Sequence, residues 1–274
     1  MSFAPVIPVG GIAGWNFLNR TLEKQKAAAA SDPVALRDEQ YFRTKISSIT
    51  TAEQLVSDHR LLKVALGAFG LGSDIKNKYF IRKALEEGTS SKTALANKLT
   101  DKSYAKLADA FGFATGATLH TKESGFADTI IKKYNDRQFE SAVGEQNDSM
   151  RLALNARREL TELAASTSSD DTKWYKILGS SPLRSVFQTA FGLPSKFASI
   201  DLEQQVSTLK SKMKSAFGDD TIGQLKDPDR LEKFLRNFLV RSQFSSTSVS
   251  TSTSSALTIL QGSGGSQGIL NLLT

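Results

Sequence analysis

The residues best suited to chemistry near neutral pH are two histidines, His59 and His120, far apart in the chain. Neither has the HExxH companion that would put two imidazoles on one helix face for zinc hydrolysis. Cysteine is absent, which removes thiolate nucleophiles, disulfides and cysteine-based zinc sites together. The histidines read as a helix-start residue and a loop residue. Two glycine-rich stretches are no better placed. "GAFGLG", residues 67–72, has its glycines in the wrong order for a dinucleotide loop and follows a helix rather than a strand. "GSGGSQG", residues 262–268, lacks the Lys-Ser/Thr of a phosphate loop and reads as a spacer. The expectation is therefore a protein that is not an enzyme, with no catalytic, cofactor-binding or metal residues and no cofactor.

Charge gives a further class to weigh. The net charge is +7, and its densest imbalance runs over 75–108, where Lys76, Lys78, Arg82, Lys83, Lys92, Lys98, Lys102 and Lys106 face Glu86, Glu87 and Asp101. Such a run is ordinarily a solvated helix face. Tyr79 and Phe80 fall at expected core positions, so they offer no exposed stacking platform, and nucleic acid is not the expected partner. No stretch approaches the roughly 18 apolar residues of a membrane span. The apolar opening "MSFAPVIPVGG" has no preceding Lys or Arg and is broken by Pro5 and Pro8, so no cleaved signal peptide and no integral membrane segment are expected.

Positioning falls to helices throughout. Ile12, Trp15, Leu18 and Leu22 recur at helical steps. Start signals follow at Ser31-Asp32-Pro33, Thr51, Asp58, Ser73 or Asp74, and Asp101, with stop signals at Gly70, Gly72, Gly88 and Gly112. From 122 to 165 a charged amphipathic stretch predicts one long central helix, with Gly144 as its weak point. The "STSSDD" of 166–171 is a linker and cap, and Ser181-Pro182, Asp201 and Asp227-Pro228 open further helices.

"LLKVALGAFGL", residues 61–71, returns as "LRSVFQTAFGL", residues 183–193, displaced by 122 positions. A second echo sets Leu99, Asp101 and Lys106 against Leu225, Asp227 and Lys233. The expected fold is all-α and multihelical, with two related halves from an internal duplication and Phe69 and Phe191 at equivalent buried positions. The expected units are an N-terminal helical arm (1–40), a first repeat (41–121), the central helix (122–165), a second repeat (166–241) and a Ser/Thr-rich tail with an apolar end (242–274). The tail composition cannot bury enough apolar area to offset its ordering entropy. Apolar segments near both ends make Trp15, Phe17, Leu18, Leu22, Leu257, Ile259, Leu260, Ile269, Leu270 and Leu273 the candidate partner-binding residues.

The succession "GGIAGWNFLNRTLEKQ", "DEQYFRTKISSITTAEQLVSDHRLLKVALGAFGL", "KNKYFIRKALEEG" and "ALANKLTDKSYAKLADAFGF" resembles the bacterial domain-of-unknown-function 1217 family. The resemblance rests on Trp15, the Tyr41-Phe42 pair, Asp58 ahead of Leu61 and Leu62, and the Ala-Phe-Gly-Leu that ends at Leu71. It implies a duplicated all-helical protein whose genes often lie among flagellar genes. From that follows the expectation of a structural or accessory protein of the bacterial flagellum, located there or in the cytoplasm. It would act through flagellar or other protein partners or by self-association; an intracellular regulator binding nucleic acid or protein is the alternative.

Overall fold

The computed structural model describes residues 3–99 and 101–244, and these form an all-α array of thirteen α-helices with no strand among them. In chain order they are α1 (Gly11–Ala30), α2 (Pro33–Lys45), α3 (Ala52–Ser57), α4 (His59–Phe69), α5 (Lys78–Glu87), α6 (Leu95–Lys98), α7 (Ser103–Phe111), α8 (Phe126–Gln146), α9 (Asp148–Ala165), α10 (Asp170–Gly179), α11 (Ser181–Ala190), α12 (Leu202–Phe217) and α13 (228–244).

The capping chemistry explains most boundaries. Asp32 accepts from the N–H groups of Val34 and Ala35 ahead of Pro33. Thr51 and Gln54 close a capping box. Asp58, Ser169, Ser180 and Asp201 each accept from the first turn they open. One start is later than expected: residues after Asp74 make a short turn, and α5 begins only at Lys78.

The single helix expected over 122–165 is two. Asn147 adopts an extended backbone (φ −152°, ψ 102°), and its side chain accepts from Met150 N–H at 2.9 Å, so it ends α8 and caps α9. The helices fold back on each other. Arg158 spans them with two bonds to Glu140, at 2.8 and 3.1 Å, and the Arg151 side chain lies where Gly144 would carry a Cβ. Gly144 is thus a point of close approach rather than the break.

Two apolar cores result. The first gathers Phe42 of α2, Leu55 of α3, most of α4, Ile81 and Leu85 of α5, Phe111 of α7, and Ile130, Ile131 and Tyr134 from the first half of α8. The second gathers Trp15 and Leu18 of α1, Phe139 and Val143 from the second half of α8, and the inward faces of α9 to α13. The region expected to be a separate arm, 1–40, therefore contributes its largest side chain to the second core.

The α3–α4 and α10–α11 pairs are built alike. Asp58 and Ser180 each end one helix and cap the next. Leu71 N–H bonds to Leu66 O at 2.9 Å and Leu193 N–H to Gln188 O at 2.8 Å, while Gly70 (φ +78°) and Gly192 (φ +62°) take the left-handed step that lets both chains turn. An arginine guanidinium lies against each glycine, Arg137 at Gly70 and Arg241 at Gly192. The phenylalanines differ. Phe69 is 3% exposed, whereas Phe191 is only partly buried, packed edge-on against Phe187 and beside Phe234.

Candidate functional site

The apolar stripe of α1 carries Trp15 and Leu18 inward, and the polar residues beside it determine where the helix sits. Trp15 is fully buried, and its indole Nε1–H donates to Glu232 Oε1 of α13 at 2.9 Å. Arg157 of α9 lies over the indole ring, 4.5 Å from its centroid. Its Nη2 reaches Glu232 Oε2 at 2.9 Å, and its Nη1 reaches Asn19 Oδ1 at 2.8 Å. Arg236 completes the set, donating to Glu232 Oε1 at 3.2 Å and to Asn16 Oδ1 at 2.7 Å. Burial pulls the Arg157 pKa down and Glu232 opposes that; a guanidinium stays charged at this cost. Glu232 therefore answers an indole and two cations at once, which fixes α1 against α9 and α13.

Outside this knot runs an open groove of about 580 Å³ lined by Ala13, Asn16, Asn19, Arg20, Glu232 and Arg236. At the neighbouring end of the molecule, Gly11 meets the Gln243 side chain, so α1 starts where α13 finishes. Val240 and Phe244, one turn apart there, are 38% and 71% exposed, and Val9 before α1 is 52% exposed.

The expected partner-binding residues divide accordingly. Trp15 and Leu18 are buried in the protein's own core, a correction that follows from the second core needing a lid of that shape. Leu22 is partly buried against the same core, and Phe17 is of intermediate exposure. Leu257, Ile259, Leu260, Ile269, Leu270 and Leu273 lie outside the described residues. Arg157, Glu232, Arg236, Asn16 and Asn19 were not legible as a set, because they come from three segments spread over more than 200 positions.

The residues with catalytic potential stay dispersed. His59 is an exposed first residue of α4. His120 sits with its Nδ1 2.7 Å from Glu123 Oε1 in a shallow groove of about 350 Å³ that Asp109, Ser124 and Lys133 also line. Among the described residues no three His, Asp or Glu side chains converge in a metal-binding group, and no helix is long and apolar enough to cross a membrane. On the basic stretch one expectation fails: Tyr79 is 71% exposed, with the Arg82 guanidinium 5.6 Å from its ring centroid, because α5 turns its Ile81–Leu85 face inward instead. Phe80 does pack inward, edge-on to Tyr104.

No curated protein matches the chain. The crystal structure of the protein AGR_C_984 from Agrobacterium tumefaciens is similar to it, with a TM-score of 0.71 and 27% identity, covering 88% of this chain and 98% of that one. Residues 68–231, more than half of the sequence, match the family described as "Protein of unknown function (DUF1217)", and the protein belongs to that family.

Proposed function

We propose that this is a non-enzymatic structural or accessory protein of the bacterial flagellum, working through protein–protein contacts at the end where α1 begins and α13 finishes. The observation that carries the reading is that Val240 and Phe244 at the end of α13 and Val9 just ahead of α1 are all exposed, where Gly11 meets Gln243. Large apolar side chains left in water beside the meeting of two helices are suited to being covered by another protein. The flagellar assignment itself draws on the family resemblance and its genomic setting.

The test is fractionation of cells into sheared filaments, basal bodies and cytosol, comparing the native protein with Val240→Ser/Phe244→Ser. Native protein should accompany a flagellar fraction, and the variant, folded by circular dichroism, should fall at least about tenfold in that fraction, as loss of two apolar anchors implies. Native protein found wholly in the cytosol would contradict the assignment.

Exposed Tyr79, stacked near Arg82 among Lys76, Lys78 and Lys83, supports a second reading as a nucleic-acid binder. That reading requires binding that weakens steeply with salt and is lost in Tyr79→Ala.

A further inference from the structure

The contacts of α1 and α8 are reciprocal. Gly14, Trp15 and Leu18 are the buried residues in the first half of α1, and Ile130, Ile131 and Tyr134 have the same spacing in the first half of α8. Both helices lead into the same succession, a short break and then α2 or α9, followed by the similarly built pairs α3–α4 or α10–α11. Yet α1 packs on the second core, while the first half of α8 packs on the first and only its second half on the second. Residues 3–30 reach across to Phe139, Asp136, Gln146, Arg157, Glu232 and Arg236. The segment 126–137 reaches back to Glu39, Arg43, Ala68, Phe69 and Phe111.

We infer that the chain is two copies of one helical unit whose lead helices have traded places, and that α1 can make the same trade with a second copy of this protein. Only Ser31 and Asp32 stand between α1 and α2. A short connection of this kind lets a helix swing out as a unit and enter an identical seat elsewhere. The seat would be identical, so exchange replaces every contact with its equivalent and costs mainly the loss of intramolecular tethering. That tethering corresponds to an effective concentration on the order of millimolar for short linkers, so a single chain keeps its own α1 when dilute and shares it when crowded. The inference does not depend on the flagellar reading.

The absence of cysteine makes the test direct. Asn16→Cys and Arg236→Cys, on residues whose side-chain tips meet at 2.7 Å, are made as two separate full-length proteins, mixed over a range of concentrations and treated with a short bismaleimide cross-linker, because an arginine-length contact leaves the two Cβ atoms too far apart for a direct disulfide. A cross-link between the two proteins forms efficiently only when the α1 of one lies on the α13 of the other. The expected result is a yield of the cross-linked heterodimer at least about fivefold above an Asn16→Cys/Lys98→Cys control, rising with concentration before cross-linking, as competition with millimolar tethering requires. Asn19→Cys with Arg157→Cys, which touch at 2.8 Å, repeats the measurement and replaces the first pair should Arg236→Cys unfold the protein. A yield equal to the control at every concentration, with folded variants, overturns the inference.

Discussion

Asp58 shows how one side chain holds two elements together. It ends α3, caps α4 through the N–H groups of Arg60 and Leu61, and accepts the Tyr41 hydroxyl at 2.6 Å, with Arg60 lying over the Tyr41 ring. Burial pushes its carboxyl pKa upward, but the bonds from Tyr41, Leu61 and Arg60 outweigh that and hold it below the ordinary aspartate value. A depressed carboxyl contributes stability that is present above its unfolded pKa of about 3.9 and disappears as pH falls through the lower folded value. Asp58→Asn keeps a competent cap but removes the charge. Urea unfolding should show it about 1 kcal/mol less stable than the native protein at pH 7, with the gap closing toward pH 2.5. A gap that stays constant with pH would mean the charge contributes nothing.

At the scale of elements, the two helix endings at Gly70 and Gly192 share their backbone bonds but not their burial, which separates what a motif specifies from what packing adds. Phe69 is enclosed by the first core, whereas Phe191 keeps one side toward solvent. Phe69→Ala should therefore cost about 3–5 kcal/mol, the range for a buried phenylalanine, and Phe191→Ala about 1–2 kcal/mol, measured by denaturant unfolding. Equal losses would mean that Phe191 is as enclosed as Phe69. Local signals made most helix boundaries legible: Asp32-Pro33, Thr51, Asp58 and Asp201 each name a start by their own chemistry, and Ser181-Pro182 marks one a single residue past its cap at Ser180. They failed at Asn147, where the turn between α8 and α9 is a single residue and the amphipathic pattern runs through it without a break in composition. Tyr79 was misplaced because α5 buries Ile81, Ala84 and Leu85, and the helical step puts Tyr79 on the opposite face.

The whole molecule is held by long-range choices that periodicity alone does not encode. The spacing of Ile12, Trp15, Leu18 and Leu22 marks α1 as a helix with something to bury, yet nothing local says that its cover lies on α9 and α13 rather than on a partner. Glu232, Arg157 and Arg236 decide it, and their meeting is a property of the fold. The second core is completed by α1 and the first by the first half of α8. Native-state amide hydrogen exchange tests this most directly, because amides that open together report one cooperative unit. Gly14–Leu18 should exchange with the same opening free energy and denaturant dependence as α9 and α13, while Ile130–Tyr134 follow α4. If Gly14–Leu18 instead open independently of α9 and α13, or in step with α4, the reciprocal arrangement of α1 and α8 is wrong.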